Sequence, residues 1–179
     1  MNIYNFIAYD ENKDLAKAYN RYVSLLDDDD WFVFVDHDAM FVQTDWWLHL
    51  KSVIEKNKEY SLFTCLTNRT GCKWQVPEGI DRQNHDIRYH REVSKSLRNQ
   101  DLGVIDVTNA PGKLSGQLMI SNKKDWDLVG GARNMGQGLL ATDNDLHVRY
   151  AKKGLKVGLI PTLYHYHWYR ADGDTSHLK

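Results

Sequence analysis

Residues 31–40 read Trp-Phe-Val-Phe-Val-Asp-His-Asp-Ala-Met: five apolar residues without alternation, halted by two carboxylates that flank a histidine. A short continuous run rich in Val and Phe is the pattern of a strand buried on both faces. Such strands present their chemistry beyond their carboxyl ends. Side chains alternate along a strand, so Asp36 and Asp38 share one side if the geometry continues through them. Two hard oxygen ligands at a strand end suit Mg²⁺ or Mn²⁺ holding a phosphate. The plainer reading, a polar turn after a strand, uses the same residues because Asp is common in turns.

Working back to the N-terminus, Asn2–Tyr9 reads as a first strand. Leu15, Ala18, Tyr19, Tyr22 and Leu26 then recur at helical spacing, which predicts an amphipathic helix over about Asp14–Leu26. Asp27–Asp30 form an acidic run, expected to be a solvated connection. Beyond the central strand, Thr44 or Asp45 can cap a helix whose buried stripe is Trp47, Leu50 and Ile54. Ser61–Leu66 is a third strand. Residues 67–81 lack periodicity and carry Gly71, Pro77 and Gly79, so they read as a loop, in which Trp74 and Gln75 either face a ligand or tuck inward.

His85–Arg98 reads as a helix with Tyr89, Val93 and Leu97 on one face. His85 and His90 miss the i, i+4 spacing of a helical metal pair and are expected at the surface. Gly116–Ser121 is a further strand and Lys123–Val129 a short helix broken by Gly130-Gly131, with a mobile loop expected through Gly138. Thr142 caps a helix that carries Asp143, Asp145, Leu146, Arg149 and Tyr150, and Gly154 ends it. Lys156–Ile160 is a strand, Pro161 interrupts, and Leu163–Trp168 is a last strand with His165 and His167 on one face. Alternating strands and helices predict an α/β fold with a mostly parallel sheet flanked by helices. Residues 1–170 form one domain on this reading, and 171–179 a polar tail.

The bulk numbers exclude some roles. A formal net charge of −1 gives no electrostatic grip on nucleic acid or an anionic membrane. No apolar run approaches the roughly 18 residues of a spanning helix. The chain opens without a basic stretch leading into an apolar core, and its two thiols, Cys65 and Cys72, read as reduced, which together point to the cytoplasm.

Three clusters far apart in sequence carry the chemistry: Asp36-His37-Asp38, Asp143-Asn144-Asp145 and His165-Tyr166-His167. Their order resembles that of GT-A fold glycosyltransferases of the family-two type. Ala18-Tyr19-Asn20 looks like the family's helix segment before the metal strand, and Phe34-Val-Asp-His-Asp like its metal-binding DxD element. Ser115-Gly116, then Trp126 and Gly130-Gly131, is similar to the stretch before the catalytic helix. Thr142-Asp-Asn-Asp-Leu with Arg149 looks like the family's Glu-Asp-x-Asp-Leu-x-x-Arg pattern.

The resemblance implies a Rossmann-like GT-A sheet and transfer of a sugar from a nucleotide-sugar donor, UDP- or GDP-linked, to a carbohydrate or other hydroxyl acceptor. It implies a divalent metal, Mn²⁺ or Mg²⁺, on Asp38 and His167, with His165 close behind as an alternative ligand and Asp36 binding either the ion or the donor ribose. Asp143 matches the family's base, and base-assisted attack inverts the anomeric centre. Tyr9, Asn20 and Gly116 join Asp36 in holding the nucleotide. Asp145 and Arg149 either position the acceptor or support the helix. Two departures stand out. Only 35 residues precede Asp36, which implies an abbreviated nucleotide-binding half, and Thr142 replaces the family's Glu.

An apolar strand ending in Asp-x-Asp also opens the haloacid dehalogenase-like phosphatases, where the first Asp is the nucleophile. Lys113 and Asp143 with Asp145 would then complete the site, although Ala39-Met40-Phe41 stands where those enzymes usually place Gly or a small hydroxyl residue. A third reading is a module that binds a nucleotide or glycan without turnover.

Overall fold

The computed structural model describes residues 1–135 and 142–168. The loop expected through Gly138 therefore lies partly, and the polar tail wholly, outside the described residues. The chain forms β1 (Ile3–Phe6), α1 (Leu15–Val23), β2 (Trp31–Val35), β3 (Ala39–Phe41), α2 (Trp46–Lys56) and β4 (Tyr60–Thr67). It continues through α3 (Ile87–Arg98), β5 (Ile105–Asp106), β6 (Leu118–Asn122), α4 (Lys123–Leu128), α5 (Thr142–Lys152) and β7 (Lys156–His167). Among the described residues the strands make one seven-stranded sheet in the order β1-β2-β6-β4-β7-β3, with β5 on β7.

The α/β expectation holds, but the sheet is mixed rather than mostly parallel. β1–β2 and β4–β7 pair parallel, whereas β2–β6, β4–β6, β3–β7 and β5–β7 pair antiparallel. An apolar run reports that a strand is covered on both faces and carries no information about its direction. Residues 107–117 bring the chain, without regular structure, to the carboxyl end of β2. There Leu118 pairs with Val35 and β6 runs back between β2 and β4. That reversal sets Ser115, Gly116 and Gln117 beside Asp36, whose backbone N–H donates to the Gln117 carbonyl at 3.1 Å.

The alternation along β2 builds a core on each side of the sheet. Phe32 and Phe34 pack with Tyr19, Met119 and Trp126, while Val33 and Val35 pack with Leu50, Ile54, Phe63 and Leu118. Along α2 the buried positions are Leu50 and Ile54. Trp47 is 44% exposed, contrary to expectation, and Trp46 takes the inward role by stacking on Phe41 at 3.9 Å. Pro161 does not divide two strands. β7 passes through it as one strand with a bulge: Cys65 pairs with Ile160 and Leu66 with Tyr164, so Pro161 to Leu163 bulge out where proline's missing N–H costs no ladder bond.

Several polar residues expected at the surface are buried because distant partners satisfy them. Asp30 ends the acidic run 5% exposed, and its Oδ1 accepts from Asn2 Nδ2 at 2.9 Å, which ties β1 to the start of β2. His90 is fully buried, bonded to the Tyr164 hydroxyl and the Asn84 carbonyl, each at 2.7 Å. His85 is half-buried against the Tyr166 hydroxyl. His147 accepts from Leu114 N–H through Nδ1 and donates through Nε2 to the Thr108 carbonyl.

Burial, foremost, lowers the pKa of His90, His147 and His165. A histidine with a folded pKa below its unfolded value of about 6.5 gives its full stability above that pH and loses it as pH falls. The raised pKa values of Asp36 and Asp143 act in the opposite sense but are fewer. The urea midpoint should therefore fall between pH 7 and pH 5, with each fully buried histidine contributing at most about 1.4 kcal/mol per pH unit. His147→Asn, whose Oδ1 can replace Nδ1 as acceptor, should flatten the fall. A midpoint that stays level or rises would contradict this account.

Candidate metal centre

At the carboxyl end of β2 lies a cavity of about 600 Å³. The turn after Val35 is closed by an N–H···O bond from Ala39 to Asp36 at 3.1 Å, and β3 then pairs Ala39 with His167. This pairing brings the last residue of β7 against the two carboxylates. His167 Nε2 lies 3.2 Å from Asp38 Oδ1 and 4.0 Å from Asp36 Oδ2. One potential ligand atom from each of Asp36, Asp38 and His167 lies within 4.8 Å of the others.

The surroundings fix His167 as a ligand would need to be fixed. Its Nδ1–H donates to the Arg69 carbonyl at 2.9 Å, which fixes the ring with Nε2 directed at the carboxylates, the nitrogen a metal ion would take. Asn68, fully buried at the end of β4, clamps the same residue from both sides: its Oδ1 accepts from His167 N–H at 2.7 Å and its Nδ2 donates to the His167 carbonyl at 3.1 Å. Two carboxylates and one imidazole on one side of a would-be ion leave other positions for phosphate oxygens and water. The donor set fits a divalent cation.

His165 is not part of this group. It is fully buried with Nδ1 3.0 Å from Cys65 Sγ, and burial pushes its pKa down to about 3. Although it shares a strand face with His167, the β3–β7 register sets it opposite Phe41, and its Nδ1 meets Cys65 instead of the carboxylates.

The carboxylates differ in their titration. Burial foremost, and Asp38 as a like charge, push Asp36 up to about 6, although His167 pulls it down. Burial would raise Asp38 as well, but the hydrogen bond and charge of His167 outweigh it and hold that carboxyl below its ordinary value.

Asp143 stands on the first turn of α5 in the same cavity. Its Oδ2 accepts from Gly116 N–H at 2.6 Å and its Oδ1 from Asn144 N–H at 2.8 Å. Burial raises its pKa, and these two N–H groups pull it back only in part. A Cβ on Gly116 would sit 2.8 Å from Asp143 Cβ, so only glycine lets the loop approach this closely. Gly116 thus acts on the site by holding Asp143.

Tyr9 lines the mouth of the cavity, 70% exposed. Asn20 does not reach it, contrary to the expected nucleotide contact. Its Oδ1 accepts from Trp126 Nε1 and Ala132 N–H, and its Nδ2 donates to the Ala132 carbonyl, so every polar atom of the amide is used in tying α1 to the turn after α4. Gly131, at φ 65°, gives Asn20 the room: a Cβ there would lie 2.5 Å from Oδ1. Asp145 pairs with Arg149 at 2.8 Å, and Arg149 also donates to the Val129 carbonyl, which makes both supports of α5. Gln75 is tucked inward, bonded to Thr64 and Ser115, and Trp74 packs on the core.

Asn68, Lys13 and Gln117 were not singled out as candidate site residues from the sequence, and Tyr19 was only through the Ala18-Tyr19-Asn20 segment. Asn68 follows the apolar run of β4 much as Asp36 follows that of β2, and that was its one available signal. No protein-family model matches the chain, and no curated protein sequence matches it. Among the described residues no helix is long and apolar enough to cross a membrane.

Proposed function

We propose that this protein is a metal-dependent glycosyltransferase that moves a sugar from a UDP- or GDP-linked donor to an acceptor hydroxyl with inversion. One observation carries the reading: Asp36, Asp38 and His167 share a single cavity with Asp143, and Gly116-Gln117 bridges the two groups by backbone bonds. Bound Mn²⁺ or Mg²⁺ would supply Lewis-acid stabilisation of the diphosphate leaving group. Asp36, Asp38 and His167 would hold it.

The chain's own residues account for the remaining steps. Asp143, held by two backbone N–H groups and with a raised pKa, takes the proton of the acceptor hydroxyl as that oxygen attacks. Attack from the face opposite the leaving group inverts the anomeric centre. Lys13, the one ammonium among the lining residues, would offer its charge to the donor's diphosphate. The phosphatase reading draws less support, because Lys113 does not line the cavity and Asp145 is committed to Arg149. Cys65 and Cys72, buried and unpaired, fit a reducing compartment such as the cytoplasm.

A thermal-denaturation panel of UDP-, GDP-, CMP- and dTDP-sugars, each with Mn²⁺ and with EDTA, tests the assignment. One nucleotide class should stabilise the protein only with the metal, by about 2.7 kcal/mol at 100 times its dissociation constant. Absence of any such shift across the panel would reject the transferase assignment.

A further inference from the structure

Tyr19 lines the cavity although 97% of its surface is covered, being 3% exposed. Its ring is held by Phe34, 4.2 Å away between centroids, and by the edge of Trp126 at 6.4 Å. The Asn20 clamp next to it fixes the helix that carries it. The phenol lines the same cavity as Asp36 and Asp143, close enough to both to feel their charge, and its hydroxyl, which bonds to none of the described residues, opens on that cavity. A hydroxyl that opens on a cavity gives up its water when a ligand fills the space, and the ligand must then supply the partner.

The three groups also locate that ligand. Asp36 belongs to the metal end of the cavity, where a diphosphate would be held, and Asp143 to the end where the acceptor is deprotonated. The atoms between them belong to the group in transit. Resting on the transferase reading above, we propose that Tyr19 is a specificity-determining residue whose hydroxyl donates a hydrogen bond to an oxygen of the transferred sugar. A neutral donor suits this place, since sugar hydroxyls offer oxygens without charge and a third anion beside Asp36 and Asp143 would be repelled.

Tyr19→Phe removes the hydroxyl and keeps the ring contacts, so it should melt no lower than the parent. Titration calorimetry with Mn²⁺ would compare UDP with UDP-glucose and GDP with GDP-mannose on both proteins. For the nucleotide class that binds, the variant should bind the nucleoside diphosphate within twofold of the parent. It should bind the nucleotide sugar about three- to tenfold more weakly, the loss expected for one neutral hydrogen bond. Equal binding of the nucleotide sugar by both proteins would overturn the role of Tyr19 alone. Equal weakening toward diphosphate and nucleotide sugar would also overturn it, moving the phenol to the phosphates. If the parent binds none of the four ligands, the UDP- or GDP-linked donor assignment fails and this inference with it.

Discussion

Asp143→Asn should lower turnover by about 10²- to 10⁴-fold, the range of a general base, while nucleotide-sugar binding stays within about twofold of the parent. The substitution is close to isosteric, and its retained oxygen can still accept from Gly116 N–H, the shorter of the two bonds that hold Asp143. The amide nitrogen then faces the Asn144 donors, the backbone N–H and Nδ2, which at this exposed position can bond water instead. What is lost is the group able to take a proton. Thr142, which stands where the family pattern has Glu, offers no second carboxylate, and its hydroxyl donates to the Arg133 carbonyl. Donor consumption under single-turnover conditions, beside a melting curve and a binding isotherm, separates chemistry from folding and affinity. Turnover equal to the parent's would remove Asp143 from the role of base.

The legible parts of this molecule are those set by local pattern. Trp31–Val35 announces a doubly covered strand because both of its faces are apolar, and Asp36 and Asp38 are conspicuous because they end it. Asp143 stands out through the Asp-Asn-Asp-Leu pattern at the start of α5, since opening a helix is by itself explained by the helix dipole. Features that depend on partners distant in the chain were not legible. The direction of β6 is set by how residues 107–117 return to Val35, and no apolar count contains that route. The choice between His165 and His167 turns on which residue pairs with Ala39, a matter of the β3–β7 register. Asp30 and His90 read as polar surface, and Asn20 as a nucleotide contact, until Asn2, Tyr164 and Ala132 arrive to bond them. A buried polar residue looks like an exposed one in sequence because its burial is justified by another part of the chain.

Asp38→Ala should abolish the stabilisation that Mn²⁺ gives the parent, and with it metal-dependent nucleotide binding. In the parent, Asp38 Oδ1 is the carboxylate atom nearest His167 Nε2, so its removal takes one of two charges and opens the side of the site that the imidazole faces. Mn²⁺ at 100 times its dissociation constant should raise the parent's unfolding free energy by about 2.7 kcal/mol over the EDTA state. The variant should show no difference between the two conditions. In EDTA it should lie near the parent, because losing the link to His167 is offset by relief of the repulsion between Asp36 and Asp38. The parent's metal affinity should also weaken as pH falls through about 6, where a proton competes for Asp36. Asp86→Ala, which removes an exposed partner of Arg88 far from the triad in sequence, serves as the charge control and should keep the full Mn²⁺ effect. A variant lacking Asp38 that still melts higher in Mn²⁺ than in EDTA, by the parent's margin, would place the cation elsewhere and leave the Asp36–Asp38–His167 group without its assigned role.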